Sequence, residues 1–309
     1  MNKLIRSLVL AACAVALPPA ALAATPGKPA GAVAAALESA PTQFVEAAGI
    51  KFAYRVIGSG DGTPLLLLQH FIGTMDYWDP RVVNGLARHR QVIVFDNTGI
   101  GASSGKVPDN VDQMSTDALA FVQALGYRQV DVLGYSLGGM VAQQLAARHP
   151  TLVRKVVLAN TVHPGGGNDL MNVLGKATTQ KQYPDPRMVL FFTESERSLA
   201  AGRAFLERVN QRKADRDPEN PPEVAGAHAK AIIVFSSTPD PENKLLNAIR
   251  QPVLVVTGSN DTMLPSKSSY EMYKLLKDAQ LVMYPDSNHG AIFQYADRFV
   301  AEVDAFLKD

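Results

Sequence analysis

With a single cysteine, Cys13, the chain cannot form an internal disulfide, and no thiolate metal site can be built. Charge of one sign is also missing: 30 basic residues stand against 29 acidic ones, for a net charge of +1. That balance argues against nucleic acid or an anionic membrane surface as the main partner. The one conspicuous apolar run near the start, Leu8 to Leu17, is too short to span a bilayer.

That run has the flanks of a secretory leader. Lys3 and Arg6 precede it, and Ala21-Leu22-Ala23 forms a small-residue cleavage site before Ala24. Residues 1–23 are therefore expected to be a signal peptide, and the protein periplasmic or secreted. Leu10-Ala11-Ala12-Cys13 is the rival cleavage box, which would leave Cys13 lipidated; without that, no stable membrane association is expected. Cleavage after Ala23 removes Lys3, Arg6 and the cysteine, leaving 286 residues, a net charge of −1 and no thiol. A chain without thiols suits an oxidising compartment. Residues 24–41 are rich in Ala, Pro and Gly and are expected to form a flexible lead-in.

From residue 42 onward, apolar runs alternate with helix-like stretches. Phe44 to Ala47 and Lys51 to Ile57 predict a hairpin turned at Gly49. Leu65 to Gln69, Val92 to Phe95, Val130 to Tyr135, Val153 to Ala159 and Val253 to Thr257 are continuous apolar runs, typical of strands covered on both faces. Leu281 to Tyr284 adds a last short strand. Trp78 to Arg88, Met114 to Leu125 and Phe299 to Leu307 are expected to be helices. Alternation of this kind specifies a parallel sheet wrapped by helices, an α/β fold. From about residue 161 to 248 the rhythm breaks, with Pro184, Pro186, Pro218, Pro221 and Pro222 among charged, helix-like stretches. This segment is expected to be a helical lobe inserted between two strands.

The chemistry concentrates at Gly134-Tyr135-Ser136-Leu137-Gly138, between a buried strand and a helix stopped at Pro150. A serine at such a corner is forced into a tight turn that presents its hydroxyl above the sheet edge. Glycines two residues to either side leave room for strand and helix to approach. A serine hydroxyl needs a base, and His289 follows the last strand, on the rim shared by all strand C-terminal ends. The base needs an acceptor, and Asp261 follows the preceding strand. Asp286, three residues before the histidine, is the rival acid. It sits in turn chemistry (Pro285-Asp286-Ser287-Asn288), and the order serine, acid, histidine favours Asp261. An oxyanion needs two donors: the N–H of Leu137 and one from the loop His70-Phe71-Ile72-Gly73.

Taken together, His70 to Gly73, Asp96 to Ser103, Gly134 to Gly139, Gly258 to Asp261 and Asn288 to Gly290 resemble the α/β-hydrolase superfamily from about Phe44 to the C-terminus. The resemblance implies a doubly wound, mostly parallel eight-stranded sheet with an inserted helical cap lobe. It also implies Ser136 as nucleophile, Asp261 as acid and His289 as base, with no cofactor and no metal. The second oxyanion donor falls on Ile72 if His70-Phe71-Ile72 matches the family's His-Gly-X; Phe71 stands where glycine is usual and remains a rival donor. Asp96 is expected to tie down a glycine-rich turn, and His70 to brace the oxyanion loop. Serine at the elbow excludes the branches that use aspartate there, the dehalogenases and epoxide hydrolases. Esterases, lactonases, C–C bond hydrolases, perhydrolases and a slow ligand-sensing receptor remain, all with a small molecule as partner. Ester or lactone hydrolysis of a small, largely apolar substrate is the first expectation.

Overall fold

Why the site assembles where it does follows from the order of the strands. A computed structural model describes residues 33–60, 62–180 and 182–308. The expected signal peptide, Cys13 and the first part of the lead-in lie outside the described residues. The strands are β1 (Val33–Ala34), β2 (Gln43–Ala47), β3 (Ile50–Ile57), β4 (Leu65–Leu68), β5 (Val92–Phe95), β6 (Val130–Tyr135), β7 (Val153–Ala159), β8 (Val253–Gly258) and β9 (Ala279–Tyr284). They form one sheet in the order β1-β3-β5-β4-β6-β7-β8-β9, with β2 antiparallel to β3. The ladders from β5 through β4, β6, β7 and β8 to β9 are all parallel. Every residue of β4, β5, β6 and β8 is buried, which is why these strands carry continuous apolar runs rather than alternation.

Helices α1 (Pro80–Leu86), α2 (Val111–Ala124) and α3 (Leu137–Arg148) alternate with the early strands. Between β7 and β8 the chain forms α4 (Leu170–Thr179), α5 (Arg187–Phe191), α6 (Glu196–Val209), α7 (Glu223–Ser237) and α8 (Lys244–Ala248), with no strand among the described residues. This helical segment is the cap. The chain then closes with α9 (Ser266–Leu275), α10 (Ala291–Gln294) and α11 (Ala296–Leu307).

After β4 the chain moves to β5 on one side, then returns to β6 on the other. Such a reversal leaves a crevice at the strand C-terminal ends, the usual place for ligands in open α/β sheets. Leu68, the last residue of β4, is in register with Gly134 of β6. The loop after β4 and the serine corner after β6 are thus neighbours by topology.

Two expectations need correction. Beside the eight strands expected, the two-residue β1 adds a short edge, with Val33 and Ala34 pairing in parallel with Val56 and Ile57. For the same reason the lead-in is not loose over its last residues. Leu37 is buried, its N–H donates to Asn84 Oδ1 at 2.8 Å, and Arg212 Nη1 donates to the carbonyls of Leu37, Glu38 and Ala40. An Ala/Pro/Gly-rich composition has low intrinsic order, but one apolar anchor and a distant guanidinium collecting three carbonyls are enough to fix it. The helix expected over 78–88 is also shorter, starting at Pro80 behind the N-cap Asp79, which accepts from the Arg81 N–H at 2.9 Å.

The cap is tied to the sheet by buried charge. Arg55 of β3, wholly buried, donates to Asp76 Oδ1 at 2.6 Å and to Asp217 Oδ1 at 2.7 Å. Asp217 lies between α6 and α7, and it and Asp76 exchange backbone-to-carboxylate bonds at 3.0 and 2.7 Å. Breaking such a pair leaves an uncompensated buried charge, so it fixes how the cap is seated more than it adds stability.

Candidate active site

Ser136 has φ 56° and ψ −119°, a region that side-chain-bearing residues rarely occupy. The glycines around it show what that turn requires. A Cβ on Gly134 would lie 2.3 Å from the Gly138 carbonyl oxygen, and one on Gly138 would lie 2.0 Å from the Leu68 oxygen. Helix α3 therefore starts pressed against the end of β4, which brings the first-turn N–H of Leu137 beside the loop that follows Leu68.

Three side chains distant in sequence meet at this rim. Ser136 Oγ and His289 Nε2 are 2.8 Å apart, and His289 Nδ1 is 2.8 Å from Asp261 Oδ2. Asp261 Oδ1 accepts from the N–H groups of Met263 and Leu264, both at 3.0 Å, and Oδ2 also accepts from Asn160 Nδ2 at 3.0 Å. Four donors thus fix the carboxylate, one of them the imidazole. Because Asp261 can only accept there, His289 carries its proton on Nδ1 and turns a bare Nε2 toward the serine hydroxyl. Tyr135 holds the same loop from below: its hydroxyl donates to the His289 carbonyl at 3.0 Å, and the two rings are 5.4 Å apart.

Asp286 is not part of this line. Its carboxylate takes the hydroxyls of Thr193 and Ser195, both at 2.7 Å, which with Arg197 hold it below the usual carboxylate range. It fastens the histidine loop to the cap. His163 is likewise occupied, with Nδ1 on the Pro164 carbonyl and Nε2 on Glu271. Asp96 accepts from the N–H groups of Met75 and Ala102, tying the glycine turn to the loop after β4. Burial, reinforced by the charge of Asp217, pushes its carboxyl well up.

The oxyanion loop departs from the expected assignment. The N–H of Ile72 is already given to Nδ1 of His228, on α7 of the cap, at 3.0 Å. A donor held by a buried imidazole is not free for an oxyanion, which speaks against the Ile72 expectation and leaves its rival Phe71. Phe71 makes no backbone N–H bond among the described residues, and Leu137 stands at the open start of α3. Phe71 and Leu137 are the free pair. His228 was not singled out by sequence. The signal was present in its spacing, since Val224 and Ile232, four residues to either side, share its buried face.

The surroundings are apolar and closed. Ser136 and His289 are each 1% exposed. Phe191 of the cap sits over His289, the two rings 6.0 Å apart, and its carbonyl accepts from the Gly290 N–H at 2.8 Å. Phe191 also meets His70 at 5.5 Å and Tyr135 at 6.1 Å. Burial lowers His70 to about 3 and His228 to about 4, so both are neutral imidazoles through the working pH range. Among the described residues no group of three or more His, Cys, Asp or Glu could hold a metal ion.

The family model of the alpha/beta hydrolase fold matches residues 63–295. This chain belongs to the α/β-hydrolase family. An alpha/beta hydrolase fold protein from Chitinophaga pinensis is similar at 40% identity and a TM-score of 0.83, over 89% of this chain and 99% of that one. The pimeloyl-[acyl-carrier protein] methyl ester esterase of Nitrosomonas europaea is 28% identical over 80% of this chain and 96% of its own length. The non-heme chloroperoxidase of Streptomyces lividans is 28% identical over 84% of this chain and 97% of its own. Such relatives make this α/β hydrolase one of a family of hydrolytic enzymes.

Proposed function

We propose that this α/β hydrolase is a serine hydrolase that cleaves esters or lactones of small, largely apolar molecules through an acyl-enzyme on Ser136. The observation that carries the reading is the unbroken buried line from Asp261 through His289 to Ser136, with 2.8 Å at each step. In this account His289 Nε2 takes the hydroxyl proton as Oγ attacks the carbonyl carbon, and Asp261 stabilises the imidazolium that forms. The carbonyl oxygen, now negative, is met by the N–H groups of Leu137 and Phe71. His289 returns the proton to the leaving alcohol, and a water activated by the same nitrogen hydrolyses the acyl-enzyme. Phe191 and the neutral His70 and His228 leave no unpaired charge against the serine, which favours uncharged substrates. Entry requires the cap to loosen, since the serine is covered. The leader-like residues 1–23 favour a periplasmic or secreted site of action.

The test is acid release from a series of p-nitrophenyl esters, lactones and vinylogous diketones. Short and medium acyl esters or lactones are expected to turn over steadily. Activity on diketones alone would replace the reading with C–C bond hydrolysis, and a single burst with a stable adduct would replace it with a receptor. The likeness to a chloroperoxidase favours a second use of the same acyl-enzyme, attack by hydrogen peroxide in place of water. The ester series run with peroxide present would register that as peracid.

A further inference from the structure

We infer that His228 and Asn220 of the cap are positioning residues for the oxyanion donor, so that cap seating completes the hole. The inference rests on the serine-hydrolase reading above and concerns one peptide group, that between Phe71 and Ile72. His70 to Gly73 is a β-turn, closed by the bond from the Gly73 N–H to the His70 carbonyl at 3.1 Å. Its third residue, Ile72, has φ 50°, while the second, Phe71, does not share that sign. This is the pattern of a type II turn, which normally puts glycine or asparagine at the third place. A β-branched residue is strained there and holds only if its surroundings enforce it. The cheaper alternative rotates the Phe71–Ile72 peptide by about half a turn into type I geometry.

Two histidines prevent that rotation. His70 Nδ1 lies 2.8 Å from the Phe71 carbonyl oxygen, which can only accept, so His70 donates from Nδ1. His228 Nδ1 lies 3.0 Å from the Ile72 N–H, which can only donate, so His228 accepts at Nδ1. The two imidazoles hold opposite tautomers, and because a trans peptide points its oxygen and hydrogen in opposite directions, they grip it from opposite sides. His228 must be neutral to accept there, and burial keeps both imidazoles uncharged.

The cap adds a third hold. Asn220 Nδ2 donates to the Ile72 carbonyl at 2.7 Å, and its Oδ1 accepts from the Gly101 N–H at 2.9 Å. Asn220 follows directly on the segment that Asp217 docks against Arg55. With His228 on α7, the cap thus holds both backbone polar atoms of Ile72. The Phe71 N–H belongs to the adjoining peptide, which an exchange of turn type alone would leave in place; its aim is set by φ of Phe71, and that rotation is fixed while the Phe71 carbonyl and both polar atoms of Ile72 are held. A cap that lifts to admit substrate releases the turn, and one that reseats restores the donor.

The experiment compares wild type with His228→Leu, His228→Asn, Asn220→Ala and Ser136→Ala on p-nitrophenyl butyrate. It also measures inhibition by an alkylthio trifluoromethyl ketone, whose hydrated adduct places an oxyanion in the hole. His228→Leu is expected to lower kcat about 10- to 100-fold with KM within about threefold, less than outright loss of a donor. Ketone affinity should fall by a similar factor. His228→Asn, which keeps an acceptor near Nδ1, should recover most of the loss. Asn220→Ala leaves the cap helices untouched and should lower kcat several-fold in the same sense; it decides the matter if His228→Leu does not fold. Wild-type kcat in a folded His228→Leu and in Asn220→Ala, or a loss confined to KM, overturns the inference while the serine reading stands. Full turnover in Ser136→Ala overturns both.

Discussion

Replacing Ser136 with alanine is expected to reduce ester turnover by about four to six orders of magnitude while leaving the fold in place. The size follows from the role: without Oγ there is no acyl-enzyme, and His289 has nothing to deprotonate except water. What survives is binding and the oxyanion donors, which retain modest catalysis over water. Stability should change little, because Ser136 Oγ has His289 Nε2 as its hydrogen-bond partner and the corner itself is held by backbone contacts. Steady-state rates on p-nitrophenyl butyrate, read beside melting curves, check both halves. A Ser136→Ala protein with wild-type rate and wild-type melting would place the nucleophile elsewhere.

Asp261→Asn should cost about as much as is usual for the acid of such a line, on the order of 10⁴-fold in kcat. The amide is nearly isosteric, so the loss comes from hydrogen-bond polarity. Asp261 accepts from Met263, Leu264, Asn160 and His289 at once. An asparagine brings its own N–H₂ into a ring of donors, and wherever it points, an accepting site is lost. If it faces the imidazole, His289 must accept at Nδ1 and carry its proton on Nε2, the wrong tautomer for a base. Asp286→Asn, by contrast, changes the seat of Thr193 and Ser195 and should cost less than about tenfold. Turnover of the two variants, measured side by side, decides the acid; the reverse order would move the role to Asp286.

Much of this was legible in the amino-acid sequence because it depends on backbone geometry that only certain residues allow. Gly134 and Gly138 are required by contacts of 2.3 and 2.0 Å that no Cβ could survive, and that requirement is written as a spacing around Ser136. Strands β4 and β6 announce themselves because burial on both faces removes every polar position except Asp131, whose carboxylate meets Arg154. His289 and Asp261 could be placed on one rim because a parallel sheet puts all its strand C-terminal ends together.

What escaped the sequence reading consists of pairings between distant segments. Ile72 and Phe71 are adjacent, and either could offer an N–H; only the presence of His228, 156 positions away, takes one of them out of use. Asn220 is an unremarked polar residue in a Pro-rich stretch until Gly101 and Ile72 stand on either side of it. The order in residues 33–40 depends on Arg212, which carries no local signature. The edge strand β1 has two residues, too few for any periodicity. Arg55 went unremarked in the sequence although apolar neighbours flank it in a buried strand, and its partners Asp76 and Asp217 emerge only from the fold.

The central claim is that the Ser136 hydroxyl attacks a carbonyl carbon and becomes acylated. Rapid acid quench during turnover of a slowly deacylating ester, such as p-nitrophenyl pivalate, followed by peptide mass mapping, reads this directly. The account predicts one acyl group per chain, on the peptide bearing Gly134-Tyr135-Ser136-Leu137-Gly138 and assigned by fragmentation to the serine. An active enzyme whose acyl group maps to another residue, or which shows no acylated peptide while the ester is consumed, would contradict it.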